Sequence, residues 1–536
     1  MKYSLRFISL IATVLLLMGL MSPTASAGKP APPARASAPQ LVSGPDPLPG
    51  FPDPTACGSG RGMPFDRHDW ESEPVIAVNP TNGANLVSAW TQDWLDGIVV
   101  GYSGDGGKTW SHVVPPTSIC TPGGMAEYDK GALDAGLAFG KASSSDADGI
   151  AYLSSTVSGK DGGWAVIVNR SHDGGQTWPV DDRRKLDFVP GSHPELPGPL
   201  LHLDAPSVVA DQVRPGYAYA TWSRGDFTLN ARRQYVSFTT DAGDTWSVPV
   251  PVPSSQIAGF GRLAVVPDRT LVPTLVPTLV AVLSEVEPPW TPSSACPLPM
   301  SMLATQSTDL GATWSPPTKI GDSDTGQSTV GVAPDGTVYV SWKKVDSSGS
   351  DFKGHSVMYA KSTDGGLSWG PPGVVGEPIS GPMETATTDG RGCSHPATPN
   401  LAVTADGTVG ITFYDHRRDD SSNNPAKVTD LWFRYSADKG ETWQEQHVAG
   451  PFDHTQAPST DAKPCPPEPP NCPDGTLPGN GTGFVGDYQG IAAMPGGFAA
   501  VFALAQPLPG ANFSLLHPPT DIFFSRLRVG KNRSAV

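Results

Sequence analysis

From about Glu71 onward the chain alternates short apolar runs with turn residues, in a unit that recurs to the C-terminus. The first unit places apolar runs at 75–78, 86–90 and 98–102, with Asn79-Pro80 between the first two. The fifth repeats this at 330–332, 338–340 and 357–359 around Pro334-Asp335-Gly336, and the sixth at 401–403, 409–413 and 431–433 around Ala405-Asp406-Gly407. A seventh keeps the runs at 490–493, 498–502 and 522–524 around Pro495-Gly496-Gly497. Apolar runs cut by such turns predict β-hairpins. No convincing stretch holds a 3.6-residue period beyond two turns. Each unit reads as three strands and a weaker fourth. A single sheet of this kind cannot bury both faces, so the units must stack radially into a β-propeller. Seven blades are expected, or six if the fourth unit is irregular. That unit holds a direct repeat over 271–280 with Pro273 and Pro277, which suits an edge or loop better than a central strand.

After the third strand, six of the units carry one pattern, S/T-x-D-x-G-x-S/T-W. Its aspartates are Asp105, Asp173, Asp241, Asp309, Asp364 and Asp438, at steps of 68, 68, 68, 55 and 74 residues. The pattern has a local physical logic. The carboxylate can accept N–H groups of its own turn, the glycine permits positive φ, and the tryptophan buries a large surface between strands. These six aspartates are therefore read as folding residues. Strand direction puts them at one end of every blade. The starts of first strands and the ends of second strands fall at the other end.

At that second end the ionisable residues gather. First-strand starts supply Glu73, Asp134, Asp204, Arg262, Gln327, His395, and Asp487 with Tyr488. Second-strand ends supply Asp93, Arg224 with Asp226, Lys343, and Asp415 with His416 and Arg417. Apolar strands ended by this many polar groups on one rim predict a polar pocket on the ring axis. Oxygen ligands on an acidic rim suit Ca²⁺, so a bound calcium is a further expectation, although the chemistry requires no cofactor.

Composition narrows the setting. Residues 1–27 have a basic start at Lys2 and Arg6, an apolar run, and Ala25-Ser26-Ala27, the layout of a secretory signal peptide. No later stretch reaches membrane-spanning length. Beyond residue 27 the chain carries 34 basic and 52 acidic residues, net −18, which argues against nucleic acid and anionic membranes as partners. Residues 28–56, rich in Pro and Ala, read as a disordered or extended leader, and 57–536 as one propeller domain. Cys57, Cys120, Cys296, Cys393, Cys465 and Cys472 read as disulfide partners in an exported chain. Cys465 and Cys472, in a Pro-rich insert at about 453–483, are the readiest pair. Neither the oligomeric state nor the sugar follows from the sequence.

The repeated pattern is the Asp box, or BNR repeat, and over roughly 71–529 the chain resembles the sialidase (neuraminidase) superfamily. The resemblance implies an exported glycoside hydrolase of exo-α-sialidase type, acting on the terminal residue of a glycan. In that family a tyrosine opens the inner strand of the last blade and attacks the sugar, an exception to the two-carboxylate scheme. Gly486-Asp487-Tyr488-Gln489-Gly490 has that layout and makes Tyr488 the nucleophile, with Glu73 or Asp487 taking its proton. Asp93 is the acid/base candidate. The family also grips the substrate carboxylate with arginines, and Arg224 and Arg417 at second-strand ends match, with Asp415 beside them. One departure stands out: Ser72-Glu73-Pro74 replaces an Arg-Ile-Pro-type motif, so one arginine of the clamp is missing. Arg61, Arg67 and Arg262 are the candidate substitutes. That departure keeps open the alternative of a non-catalytic Asp-box propeller that binds glycan or protein.

Overall fold

Period-2 alternation over short runs gives strands, and Gly- and Asp-containing turns reverse them, so each unit folds as an antiparallel meander. The computed structural model describes residues 35–45, 47–48, 69–93, 96–117, 121–129, 131–141, 143, 149–159, 162–191, 201–226, 231–254, 261–267, 276–286, 300–323, 326–348, 351–380, 398–419, 428–457 and 484–530. Blade 1 comprises Glu71–Val78, Leu86–Gln92, Gly97–Ser103 and Ser111–Val113, and blade 2 Gly131–Gly140, Ile150–Ser158, Trp164–Ser171 and Arg184–Val189. Blade 3 comprises Leu201–Ala210, Ala218–Asp226, Ala231–Thr239 and Val250–Pro251, and blade 4 Arg262–Val266, Thr278–Val286, Met300–Ser307 and Thr318–Ser323. Blade 5 is built from Ser328–Val332, Val338–Ser348, Asp351–Ser362 and Gly373–Val374, with Ile379–Ser380 also pairing its third strand. Asn400–Val403, Val409–Asp415, Val428–Ser436 and Gln444–Asp453 form blade 6. Blade 7 follows Gly490–Met494, Gly497–Leu504 and Asp521–Arg528.

The first strands touch one another in cyclic order, and the first strand of blade 7 lies against that of blade 1. The seven sheets therefore close into a β-propeller, with first strands innermost. Hydrophobic clusters fill the space between neighbouring blades. Val87, Ile98 and Leu153 pack between blades 1 and 2, and Leu401, Phe413 and Tyr339 between blades 5 and 6. The count is the expected seven rather than the alternative six, and the sheet of blade 4 has all four strands. Thr278–Val286 is its second strand, so the end of the Pro-containing repeat lies inside the sheet, while 268–275 fall outside the described residues.

Part of the segment read as a disordered or extended leader closes the ring. Arg35–Ala36 and Gln40–Leu41 pair antiparallel with Asp521–Arg528 as the outer edge of blade 7. Val42 is buried against Trp90 and Phe524. A two-residue strand has no periodicity to read, and its position is set by the open edge it caps. Residues Ala34–Val529 form one compact unit. The signal peptide, all six cysteines, His395 and most of the Pro-rich insert lie outside the described residues. Among the described residues no helix is long and apolar enough to cross a membrane.

Each Asp box is a self-satisfied turn. In blade 1, Asp105 Oδ1 accepts from Ser103 Oγ at 2.8 Å, Lys108 N at 2.9 Å and Thr109 N at 3.0 Å, and Oδ2 accepts from Thr109 Oγ1 at 2.7 Å. The hydrogen bond from Thr109 above all holds the Asp105 carboxyl down to about 2. Burial pushes the other five upward, yet hydrogen bonds outweigh it and all five are lowered. The box glycine also fixes blade spacing. At Gly175, φ is +93°, and a Cβ would lie 2.5 Å from Val87 Cγ2 in blade 1. Gly174 O accepts from Asn85 Nδ2, in the first hairpin turn of blade 1, at 2.9 Å. The boxes thus sit at the end of the blades opposite the first-strand starts, as strand direction predicts.

Candidate active site

Three consecutive inner strands break register at the same place. In blade 1 the shift falls between Ser72 and Val75, in blade 2 between Leu133 and Gly136, and in blade 3 between Asp204 and Ser207. Each bulge holds a non-glycine residue at positive φ: Glu73 at 58°, Asp134 at 57° and Ala205 at 50°. Such conformations are unfavourable for side-chain-bearing residues and cluster at functional sites. The bulges turn Glu73, Asp134 and Asp204 into one group at the mouth of the ring. Blade 7 adds Asp487 and Tyr488 from the segment just before its inner strand.

These groups meet. Tyr488 Oη donates to Asp134 Oδ1 at 3.3 Å, and Asp487 N donates to Glu73 Oε1 at 3.2 Å. Asp134 Oδ2 accepts from Ala205 N at 3.3 Å, and Asp204, the residue before Ala205, is close enough to raise the Asp134 proton affinity. Arg232 pairs with Asp204 at 3.1 Å, and the Arg262 guanidinium lies 5.7 Å from the centre of the Tyr488 ring.

The electrostatics follow from burial, then from crowding. Burial, then the charges of Asp134 and Asp487, push the Glu73 carboxyl well up. Asp134 is pushed well up by burial and by Asp204. Asp487 is raised to about 6 by burial and Asp204, against the pull of Gln327, Arg232 and Arg262. The Tyr488 phenol is driven well above its ordinary value by burial and by Glu73 and Asp134, with Arg262 opposing. Carboxyl groups with raised proton affinity thus surround one phenol, the kind of tuning that general acid–base chemistry uses.

Below this mouth lies a cavity of about 290 Å³ on the ring axis, lined from all seven inner strands or the segments leading into them. Asp487, Tyr488, Arg262 and Gln327 form part of its wall, with apolar residues such as Val75, Leu137 and Val330 deeper in.

The expected rim divides into two groups. Glu73, Asp487, Tyr488 and Arg262, from first-strand starts, come together. The candidates from second-strand ends are engaged elsewhere. Asp93 Oδ1 accepts from Asp69 N at 2.9 Å and Gln92 Nε2 at 3.1 Å, fastening the lead-in to blade 1. Arg224 forms an ion pair with Asp187 of blade 2, which also accepts from Trp222 Nε1, and its guanidinium covers the Tyr235 ring. Arg417 joins buried Asp415 to Glu445 and stacks 4.1 Å from the centre of the Trp432 ring. Asp134, Asp204 and Gln327 were visible as strand-start residues, but only convergence gives them a part in the site. The sequence signal for the first two is an acid two or three places before a small residue in consecutive repeats. Among the described residues no group of three or more His, Cys, Asp or Glu side chains is arranged to hold a metal ion.

No family model matches the chain, and no curated protein matches it. The expected likeness to sialidase-type propellers is found among solved structures. The α-L-arabinofuranosidase of Fusarium graminearum is 16% identical, over 70% of this chain and 92% of that one, with a TM-score of 0.41. A Hadza microbial sialidase is 15% identical over 73% and 68%, with a TM-score of 0.41. The α-L-arabinanase of Penicillium chrysogenum is 13% identical over 94% and 100%, again at 0.41. Likeness at this level says nothing about chemistry, and the seven-bladed Asp-box propeller rests on its own sheets and turns.

Proposed function

We propose that the protein is an exported glycoside hydrolase that removes terminal sugar residues through a tyrosine nucleophile. The observation that carries this reading is the Tyr488 hydroxyl, 3.3 Å from Asp134 within a group of four carboxyls at the mouth of an axial cavity. Tyr488 Oη attacks the anomeric carbon as the bond to the leaving oxygen breaks. The phenol proton passes to the Asp134–Asp204 pair, which holds the base that a weak phenol nucleophile requires. Asp487, raised to about 6, supplies the proton for the leaving oxygen. As a carboxylate it then draws a proton from the water that attacks the anomeric carbon, and the departing Tyr488 phenolate recovers its proton from the Asp134–Asp204 pair. Asp134 and Asp487 thus take the roles first assigned to Glu73, Asp487 and Asp93, and Glu73 braces the Asp487 backbone.

A second reading, glycan binding without turnover, draws support from the high Tyr488 proton affinity and from the engagement of Arg224 and Arg417 away from the mouth. Release of a fluorophore from a panel of aryl glycosides, sialoside included, separates the two. Wild type should cleave at least one, and Tyr488→Phe should lose about 10³-fold or more in kcat/KM with its fold intact. Wild type inert on every glycoside would leave the binding reading.

A further inference from the structure

Resting on the hydrolase reading, we propose that the axial cavity is a subsite for an uncharged pentose or hexose, received by the hydroxyls of Ser328 and Thr398, and that it rejects sialic acid.

The two halves of the mouth differ. Blades 1 to 3 present Glu73, Asp134 and Asp204, and blade 7 adds Asp487. Arg262 and Arg232 are the cations described beside them, and Arg232 is paired with Asp204. A sugar carboxylate entering here meets carboxyl groups first. Arg262 lies in the cavity wall, but the other two arginines of a carboxylate clamp do not reach it, since Arg224 is bound to Asp187 and Arg417 to Asp415 and Glu445. A sugar carboxylate brought among the mouth carboxyls either meets a charge of its own sign or requires further protonation, and both disfavour an anion in a water-poor site.

Blades 5 and 6 present a different surface. Ser328 and Thr398 both line the cavity, are 4% and 6% exposed, and have side-chain oxygens with no hydrogen-bond partner. Thr329 Oγ1, in the same lining, is also without one. A buried hydroxyl left unmatched is costly, so a lining that holds several is shaped for a ligand that supplies the missing bonds. Sugar hydroxyls donate and accept, and they match serine and threonine without any charge. Val75, Leu137 and Val330 offer apolar contact for the C–H faces of a ring. At about 290 Å³ the cavity lies at the small end of the range of about 300–1,000 Å³ usual for ligand sites. That volume suits one five- or six-carbon sugar better than a nine-carbon acid with its glycerol and acetamido arms.

The test pairs binding with turnover on the full folded protein. Saturation-transfer NMR titrations with D-xylose, D-glucose, D-galactose and N-acetylneuraminic acid would be run on wild type and on Ser328→Ala/Thr398→Val. The expected result is binding of at least one neutral sugar, weakened about tenfold or more in the double variant, and no saturable binding of the acid. Equal or tighter binding of N-acetylneuraminic acid overturns the proposal, as does neutral-sugar binding that the double variant leaves unchanged, or no binding of any sugar. Aryl glycosides of the same four sugars separate this proposal from the hydrolase reading. Tyr488-dependent cleavage of the sialoside sinks the subsite and spares the hydrolase. Binding of neutral sugars as expected with no glycoside cleaved sinks the hydrolase and spares the subsite. Circular dichroism on the double variant guards against a folding defect.

Discussion

At one end of blade 1, Asp105 takes four hydrogen bonds from its own eight-residue turn and is held down to about 2. At the other end of the ring, Asp134 faces Asp204 and the Tyr488 hydroxyl and is pushed well above its ordinary value. The residue type is the same and the scaffold is the same. What differs is the source of the surroundings. The Asp-box carboxylate is surrounded by donors a few residues away, so it is solvated by its own turn. The mouth carboxyls are buried among one another, brought in from separate blades, and burial first and crowding after it raise their proton affinity. Charges matched locally stabilise a fold, while charges left in conflict are available for chemistry.

Substitutions at the two ends should therefore separate function from stability. The largest expected effect is at the mouth. Asp134→Asn should lower kcat/KM on a cleaved glycoside by about 10²–10⁴-fold while thermal unfolding stays near that of wild type. Loss of fold instead of activity would put Asp134 in the same class as Asp105.

The next effect belongs to the box end. Gly175→Ala places a Cβ against Val87 at φ +93° and should lower stability by about 3 kcal/mol in denaturant titration. Turnover per folded molecule should not change. A fall in turnover at full stability would mean that box geometry is transmitted to the mouth.

The smallest effect has opposite signs at the two ends and is read as stability against pH. Asp487 is raised from 3.8 to about 6, so its contribution is present below pH 3.8 and is lost as pH rises through about 6. Asp487→Asn should therefore gain on wild type above pH 6. Asp105 is lowered from 3.8 to about 2, so its contribution is present above 3.8 and is lost as pH falls through about 2. Asp105→Asn should be the less stable protein at pH 7 and approach wild type near pH 2. Two curves bending the same way would remove the contrast between the ends.

Much of this arrangement was readable along the chain, and the misplacements have physical causes. Of the first-strand starts, Glu73, Asp134, Asp204, Arg262, Gln327, Asp487 and Tyr488 gather at the mouth because the inner strands run beside the axis, while His395 lies outside the described residues. Second-strand ends offered the same sequence cue with a different outcome. Trp222 and Arg224 are two apart and share a strand face, so both reach Asp187 of blade 2. Arg417 has Trp432, Asp415 and Glu445 around it for a comparable reason. Strand position tells which end a residue occupies, but not whether that end looks at the axis or at the neighbouring blade. The segment at 35–41 was missed because its pairing belongs to the edge it completes, Asp521–Arg528.

The sequence by itself determined the blade unit and the chemistry of its corners, because every partner of an Asp-box carboxylate lies within the same few residues. Tertiary structure decided which charged groups share the axis. Glu73 and the backbone of Asp487 are 414 residues apart in the chain and 3.2 Å apart in the ring. Long-range contacts of that kind arise from the closure of seven sheets and from three register breaks whose direction the linear pattern does not specify.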